Sequence, residues 1–127
     1  MERLLLVFFG GGAGALARYG VGMVALRTLG SRWPYGTFTV NLLGGFIMGF
    51  LAGWLAHRGG PDQDRWRLLI GVGVLGGFTT FSAFSLETAL MVERRDWGQA
   101  AAYVVGSVVL AVLALFAGMM LARRLLA

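Results

Sequence analysis

The run Gly76-Gly77-Phe78-Thr79-Thr80-Phe81-Ser82-Ala83-Phe84-Ser85-Leu86-Glu87 places two glycines, several hydroxyls and a carboxylate inside a stretch that is apolar on both sides. Adjacent glycines weaken a helix in mid-span, and Thr79, Thr80 and Ser82 can bond the backbone groups that this frees. An unwound segment also exposes carbonyl oxygens, the ligands that hard monovalent cations take from discontinuous membrane helices. Where helix resumes, Phe81 and Phe84 are three apart and share a face. Their electropositive ring edges can meet an anion without trapping it as a fixed arginine would, and the same spacing also serves ordinary packing.

Besides Glu87 of this run, two further residues carry polarity into apolar surroundings: Arg18 and Asn41. Arg18 lies 15 positions beyond Arg3, roughly 22 Å along a helix, which is too deep for a boundary residue. It can pair with Glu87 to hold helices together, or its charge can attract anions. Asn41 offers a carbonyl and two amide hydrogens, enough for an interhelical hydrogen bond or for replacing part of an anion's hydration shell. Thr37, one turn earlier, shares its face.

The elements that must position these residues are membrane spans. The chain has 127 residues, 57% of them hydrophobic, more than a soluble domain of this size carries. Apolar stretches run from about 4 to 29, 35 to 56, 66 to 90 and 99 to 121, each long enough to cross a bilayer core of about 30 Å. Gly30-Ser31-Arg32-Trp33-Pro34, His57 to Arg65 and Arg94-Arg95-Asp96-Trp97 separate them. The expectation is an all-α membrane protein with one domain over residues 1–127, four transmembrane helices, and the third helix broken near its middle. The first stretch continues past Arg18 to a second boundary, unlike a secretory signal.

Composition excludes several functions. Without cysteine there is no disulfide, thiolate nucleophile or thiolate metal site. The lone His57 sits at a segment end without convergent partners, and no phosphate-binding Gly-Lys loop exists because the chain has no lysine. The +5 charge is carried by arginines between or after the apolar stretches, which points to lipid headgroups rather than nucleic acid. No enzyme is expected. With four crossings, Arg3, Arg58, Arg65, Arg67, Arg123 and Arg124 share one side, and Arg27, Arg32, Arg94 and Arg95 the other. Six against four is a weak orientation signal. Such a chain can insert both ways up, which makes an antiparallel homodimer available. Gly10-x-x-x-Gly14 and Gly45-x-x-x-Gly49-x-x-x-Gly53 put bare backbone on helix faces for close packing.

Taken together, "GGGAGALARY" (Gly10–Tyr19), "PYGTFTVNLLGGFIMG" (Pro34–Gly49) and "GGFTTFSAFSLE" resemble the motifs of the small four-helix fluoride channels called Fluc or CrcB. The resemblance covers the whole chain. It implies a dual-topology antiparallel homodimer in the cell (inner) membrane, with two fluoride pathways and a structural sodium ion at the centre of the interface. Backbone carbonyls of Gly76 and Thr79 would hold the sodium. Asn41, Phe81, Phe84, Tyr103 and Ser107 would line each pathway, with Thr80, Ser82 and Glu87 on the polar side of the third helix and Arg18 in a basic vestibule. The activity implied is passive export of fluoride from the cytoplasm. The alternative is a small proton-coupled multidrug exporter with Glu87 as the proton carrier in a spacious apolar chamber; Arg18 counts against it. A scaffold subunit without transport would leave the polar residues at depth without a purpose.

Overall fold

The computed structural model describes residues 1–58 and 60–126. Among these residues, four helical segments are long and apolar enough to cross a membrane: Glu2–Leu29, Tyr35–Arg58, Gly60–Glu93 and Trp97–Leu126. The first two are the helices α1 (Glu2–Leu29) and α2 (Tyr35–Arg58), and the last is α6 (Trp97–Leu126). The third segment is composite. A turn of 3₁₀ helix (Gly60–Asp62) and the short α3 (Gln63–Trp66) lead into a π-helical stretch, Arg67–Leu75, and then α4 (Gly76–Phe78). Two extended residues follow before α5 (Phe81–Glu93).

The helices outrun the apolar stretches read from the sequence, because a helix does not stop where hydrocarbon does; its polar ends continue into the headgroup layer. At that level Arg3 pairs with Asp64 at 2.6 Å, Arg67 with Asp64 at 2.8 Å and Arg65 with Glu2 at 2.9 Å. The exposed pairs of Arg3 with Asp64 and of Glu2 with Arg65 tie the start of α1 to α3 and place both on one side. On the other side, Arg95, two residues beyond the end of α5, lies in the left-handed region (φ 59°), while Arg95 N–H donates to the Val92 carbonyl and Asp96 N–H to that of Met91. That closed C-terminal turn sends the chain back as α6.

Without a hydrophobic drive between helices in lipid, association depends on close contact. The glycine faces supply it. Gly45, Gly49 and Gly53 of α2 lie against Ala111, Leu115 and Met119 of α6, and a Cβ on Gly49 would collide with the Leu115 carbonyl. The face containing Gly10 and Gly14 of α1 lies on the π-helical stretch, where a Cβ on Gly14 would collide with the Val74 carbonyl. Between these layers Val40, Leu51, Leu55, Leu75 and Phe78 form one buried cluster. A second cluster contains Phe84, Met91, Ala100 and Tyr103. Phe8, Leu16, Phe81 and Val105 are among the large apolar side chains left outside.

Gly49→Val should therefore separate α2 from α6 at a cost of about 3 kcal/mol or more. Gly98→Ala, with open space around it, should change stability by less than about 0.5 kcal/mol. Thermal unfolding of the purified variants in detergent checks both.

Candidate functional site

The helix break falls three residues beyond the first of the paired glycines. Gly76 is helical (φ −62°, ψ −39°), and the extended residues are Thr79 (φ −89°, ψ 158°) and Thr80 (φ −151°, ψ 122°). The paired glycines stay helical, and the chain extends at the two threonines beyond them. Gly77 serves close packing, since a Cβ there would collide with the Gly11 carbonyl of α1. Extended backbone is open to any residue and suits β-branched threonine.

Several of the freed backbone groups find partners. Thr80 N–H donates to Asn41 Oδ1 at 2.8 Å, and Asn41 Nδ2 donates to the Thr80 carbonyl at 3.0 Å. One side chain thus pairs with Thr80 as a neighbouring strand would. Thr79 Oγ1 donates to the Leu75 carbonyl at 2.8 Å, and Thr80 Oγ1 accepts from Ala83 N–H at 3.1 Å as the N-cap of α5. Ser82 Oγ stands 3.2 Å from Thr80 Oγ1, exposed on the same turn. Arg18 Nε donates to the Gly77 carbonyl at 3.0 Å. Among the described residues, no donor reaches the carbonyls of Gly76 and Thr79.

A groove of about 250 Å³ opens at the break, lined by Asn41, Thr79, Thr80, Phe81, Phe84 and Ser107. Ser107 Oγ is buried there without a hydrogen-bond partner among the described residues. Phe81 is 78% exposed and Phe84 8%, with ring centroids 5.5 Å apart. Although three apart on one helix, the two rings have opposite surroundings. Phe84 continues to Tyr103 at 5.0 Å, and Tyr103 to Trp33 at 5.1 Å, edge to face. Tyr103 is fully buried and donates from its hydroxyl to Glu87 Oε1 at 2.9 Å, while Thr37 Oγ1 donates to Oε2 at 2.9 Å.

The family match settles the relationship. Residues 5–119 match the family described as CrcB-like protein, Camphor Resistance (CrcB). The chain belongs to the CrcB family. Relatives of this CrcB chain include the fluoride-specific ion channel FluC of Phenylobacterium zucineum, 69% identical over the full length of both chains. Its namesake in Caulobacter vibrioides is 61% identical over the same span, and that of Caulobacter sp. strain K31 is 63% identical over 98% of each chain. Their name is that of a channel, not an enzyme. Four long apolar helices in a family of channels make the CrcB chain a multi-pass membrane protein.

One expectation about charged residues needs revision in this CrcB chain. Arg18 and Glu87 do not pair: Arg18 binds a backbone carbonyl, and Glu87 is held by the hydroxyls of Thr37 and Tyr103. Arg18 also lines a second cavity of about 400 Å³ with Gly22, Thr37 and Thr80, so Thr80 stands between the two cavities. The sequence reading took Trp33 only as part of a loop. Its aromatic contacts with Phe38 and Tyr103 reach across the fold, and the one local hint was a tryptophan directly before Pro34.

Replacing Asn41 with Leu removes both partners of Thr80 in surroundings without water, and should cost about 3 kcal/mol. Asn41→Asp keeps only the acceptor for the Thr80 N–H and should fall between Leu and wild type. Thermal melting of the three proteins in one detergent checks the order.

Proposed function

We propose that the protein is a fluoride-selective channel through which fluoride leaves the cytoplasm passively across the inner membrane, working as an antiparallel dual-topology homodimer. The observation that carries this reading is the groove at the break, where the unpartnered Ser107 hydroxyl and the rings of Phe81 and Phe84 line one space. The name of the relatives supplies the ion.

Fluoride is small and strongly hydrated, so a path must offer closely spaced donors that replace water without forming a trap too deep to leave. Ser107 offers an O–H. Asn41 spends one amide hydrogen on Thr80 and has a second to offer. The ring edges of Phe81 and Phe84 offer weaker positive charge. Beyond Phe84, the hydroxyls of Thr37 and Tyr103 and the carboxyl of Glu87 continue the polar side toward the end of the bundle where Trp33 lies. Thr80 and Ser82 form its other edge at the break. The remaining guanidinium nitrogens of Arg18, in the second cavity, make a basic vestibule that raises the local anion concentration. Export needs no coupling: hydrogen fluoride enters neutral and ionises at cytoplasmic pH, and the anion then leaves down its gradient.

The residues at the break suit a structural sodium ion. The donor-free carbonyls of Gly76 and Thr79 are hard oxygen ligands, Gly76 is exposed on the single chain, and a two-fold partner would double the set. When bound, the cation would balance carbonyl dipoles that are costly in lipid and tie the two copies together. The exporter alternative gains nothing from the geometry, because Glu87 is engaged by two hydroxyls rather than standing free in an apolar chamber.

Liposomes containing only the purified protein should release fluoride when a counter-ion shunt is added, without any proton gradient. Release driven only by a proton gradient, or equal chloride flux, would contradict the reading. Phe81→Ile and Phe84→Ile should each slow fluoride release about tenfold, roughly 1.4 kcal/mol in the barrier, in protein that is still dimeric. Protein assembled without sodium should fail to dimerise or conduct; full activity after sodium-free assembly would remove the cation from the account.

A further inference from the structure

Between Arg3 and Arg27, α1 carries no charge except Arg18. A guanidinium at that depth needs a partner, and among the described residues the one it has is a main-chain oxygen, the Gly77 carbonyl 3.0 Å from Nε. Gly77 belongs to the last helical turn before the break, α4, which ends at Phe78. In an unbroken helix its carbonyl would accept from the N–H of Phe81, which here opens α5. Orphan carbonyls and the negative end of the helix dipole coincide at this point, so an N–H donor from a cationic group is favoured twice over. The grip is reinforced from α1 by the close approach of Gly77 to the Gly11 carbonyl. The residue before Gly77 and the second residue after it, Gly76 and Thr79, carry carbonyls that no donor reaches among the described residues. Because peptide units are planar and only φ and ψ are soft, holding the Gly77 carbonyl restricts the directions in which those neighbours can point.

We infer that Arg18 is a positioning residue of the broken helix: through Nε it caps the Gly77 carbonyl and thereby aims the carbonyls of Gly76 and Thr79. The part of this that concerns a cation rests on the proposed sodium site; the cap itself does not. The useful contrast is between a donor and a charge. Glutamine carries an amide nitrogen bonded to Cδ, the same bond count from the backbone as arginine Nε, and it is neutral. Methionine has similar reach and no N–H.

Wild type, Arg18→Gln and Arg18→Met are purified in detergent and compared by amide hydrogen exchange over residues 76–80 and by thermal melting against sodium concentration. In Arg18→Gln, exchange should stay within about threefold of wild type, and in Arg18→Met it should rise about tenfold or more, the scale of one lost hydrogen bond. The sodium concentration for half of the stabilisation should rise about tenfold in Arg18→Met alone. An Arg18→Met protein that does not assemble, beside an Arg18→Gln protein with wild-type exchange, supports the cap equally. Exchange that rises alike in both variants, failure of both to assemble, or wild-type exchange in both would overturn it. Wild-type melting indifferent to sodium would overturn the cation part, with exchange still deciding the cap.

Discussion

Two residues of extended chain in the middle of a membrane span are tolerable only because Asn41 completes the hydrogen bonding of Thr80. In hydrocarbon no water is available to take the place of a lost helical bond, and each unsatisfied peptide group costs several kcal/mol. Asn41 meets both demands of Thr80 from a neighbouring helix, acting as a strand one residue long. The other contacts at the break follow from that pairing. Thr80 is free to turn its hydroxyl to Ala83 and start α5, while Thr79 turns its own hydroxyl back to Leu75. With these bonds made, the chain can change direction and leave the carbonyls of Gly76 and Thr79 facing no donor among the described residues.

The same constraint explains where the polar groups of the site lie. Once α5 restarts at Phe81, its first turns place Phe84 inside the bundle and Phe81 outside it. Phe84 stacks on Tyr103 of α6, and Tyr103 reaches Glu87 one turn further along α5. Thr37, one turn before Asn41 on α2, closes the carboxyl from the other side. Donors on α2, α5 and α6 thus follow each other along one direction, from the break toward Trp33. The glycine faces that bring α2 onto α6 and α1 onto the π-helical stretch are what bring these helices close enough for such short side chains to meet.

Much of this was legible in the sequence, and the remainder was hidden for identifiable reasons. Four spans follow from apolar length, and the glycine repeats announce close packing; both appear in the structure. Asn41 stood out as a polar group at depth, but its partner is a backbone 39 positions away, and side-chain identity says nothing about which peptide will be left unpaired. The paired glycines mark the neighbourhood of the break, but the extended residues are Thr79 and Thr80, while Gly77 packs against α1 and both glycines stay helical. The Arg18–Glu87 pairing was a reasonable inference from opposite charge. It failed because a helix end and two hydroxyls were nearer partners, and neither can be seen without the fold. The π-helical stretch Arg67–Leu75 has no signature in a pattern read at 3.6 residues per turn.

The central claim is that the groove at the break belongs to a passive path selective for one anion. The measurement that tests it most directly is the reversal potential of the purified protein in a planar bilayer, with a fluoride gradient opposed by an inverse chloride gradient. The account predicts reversal at the fluoride equilibrium potential, shifting by about 59 mV for each tenfold change in fluoride. Reversal that follows chloride, or a flux of fluoride that carries no current, would contradict it.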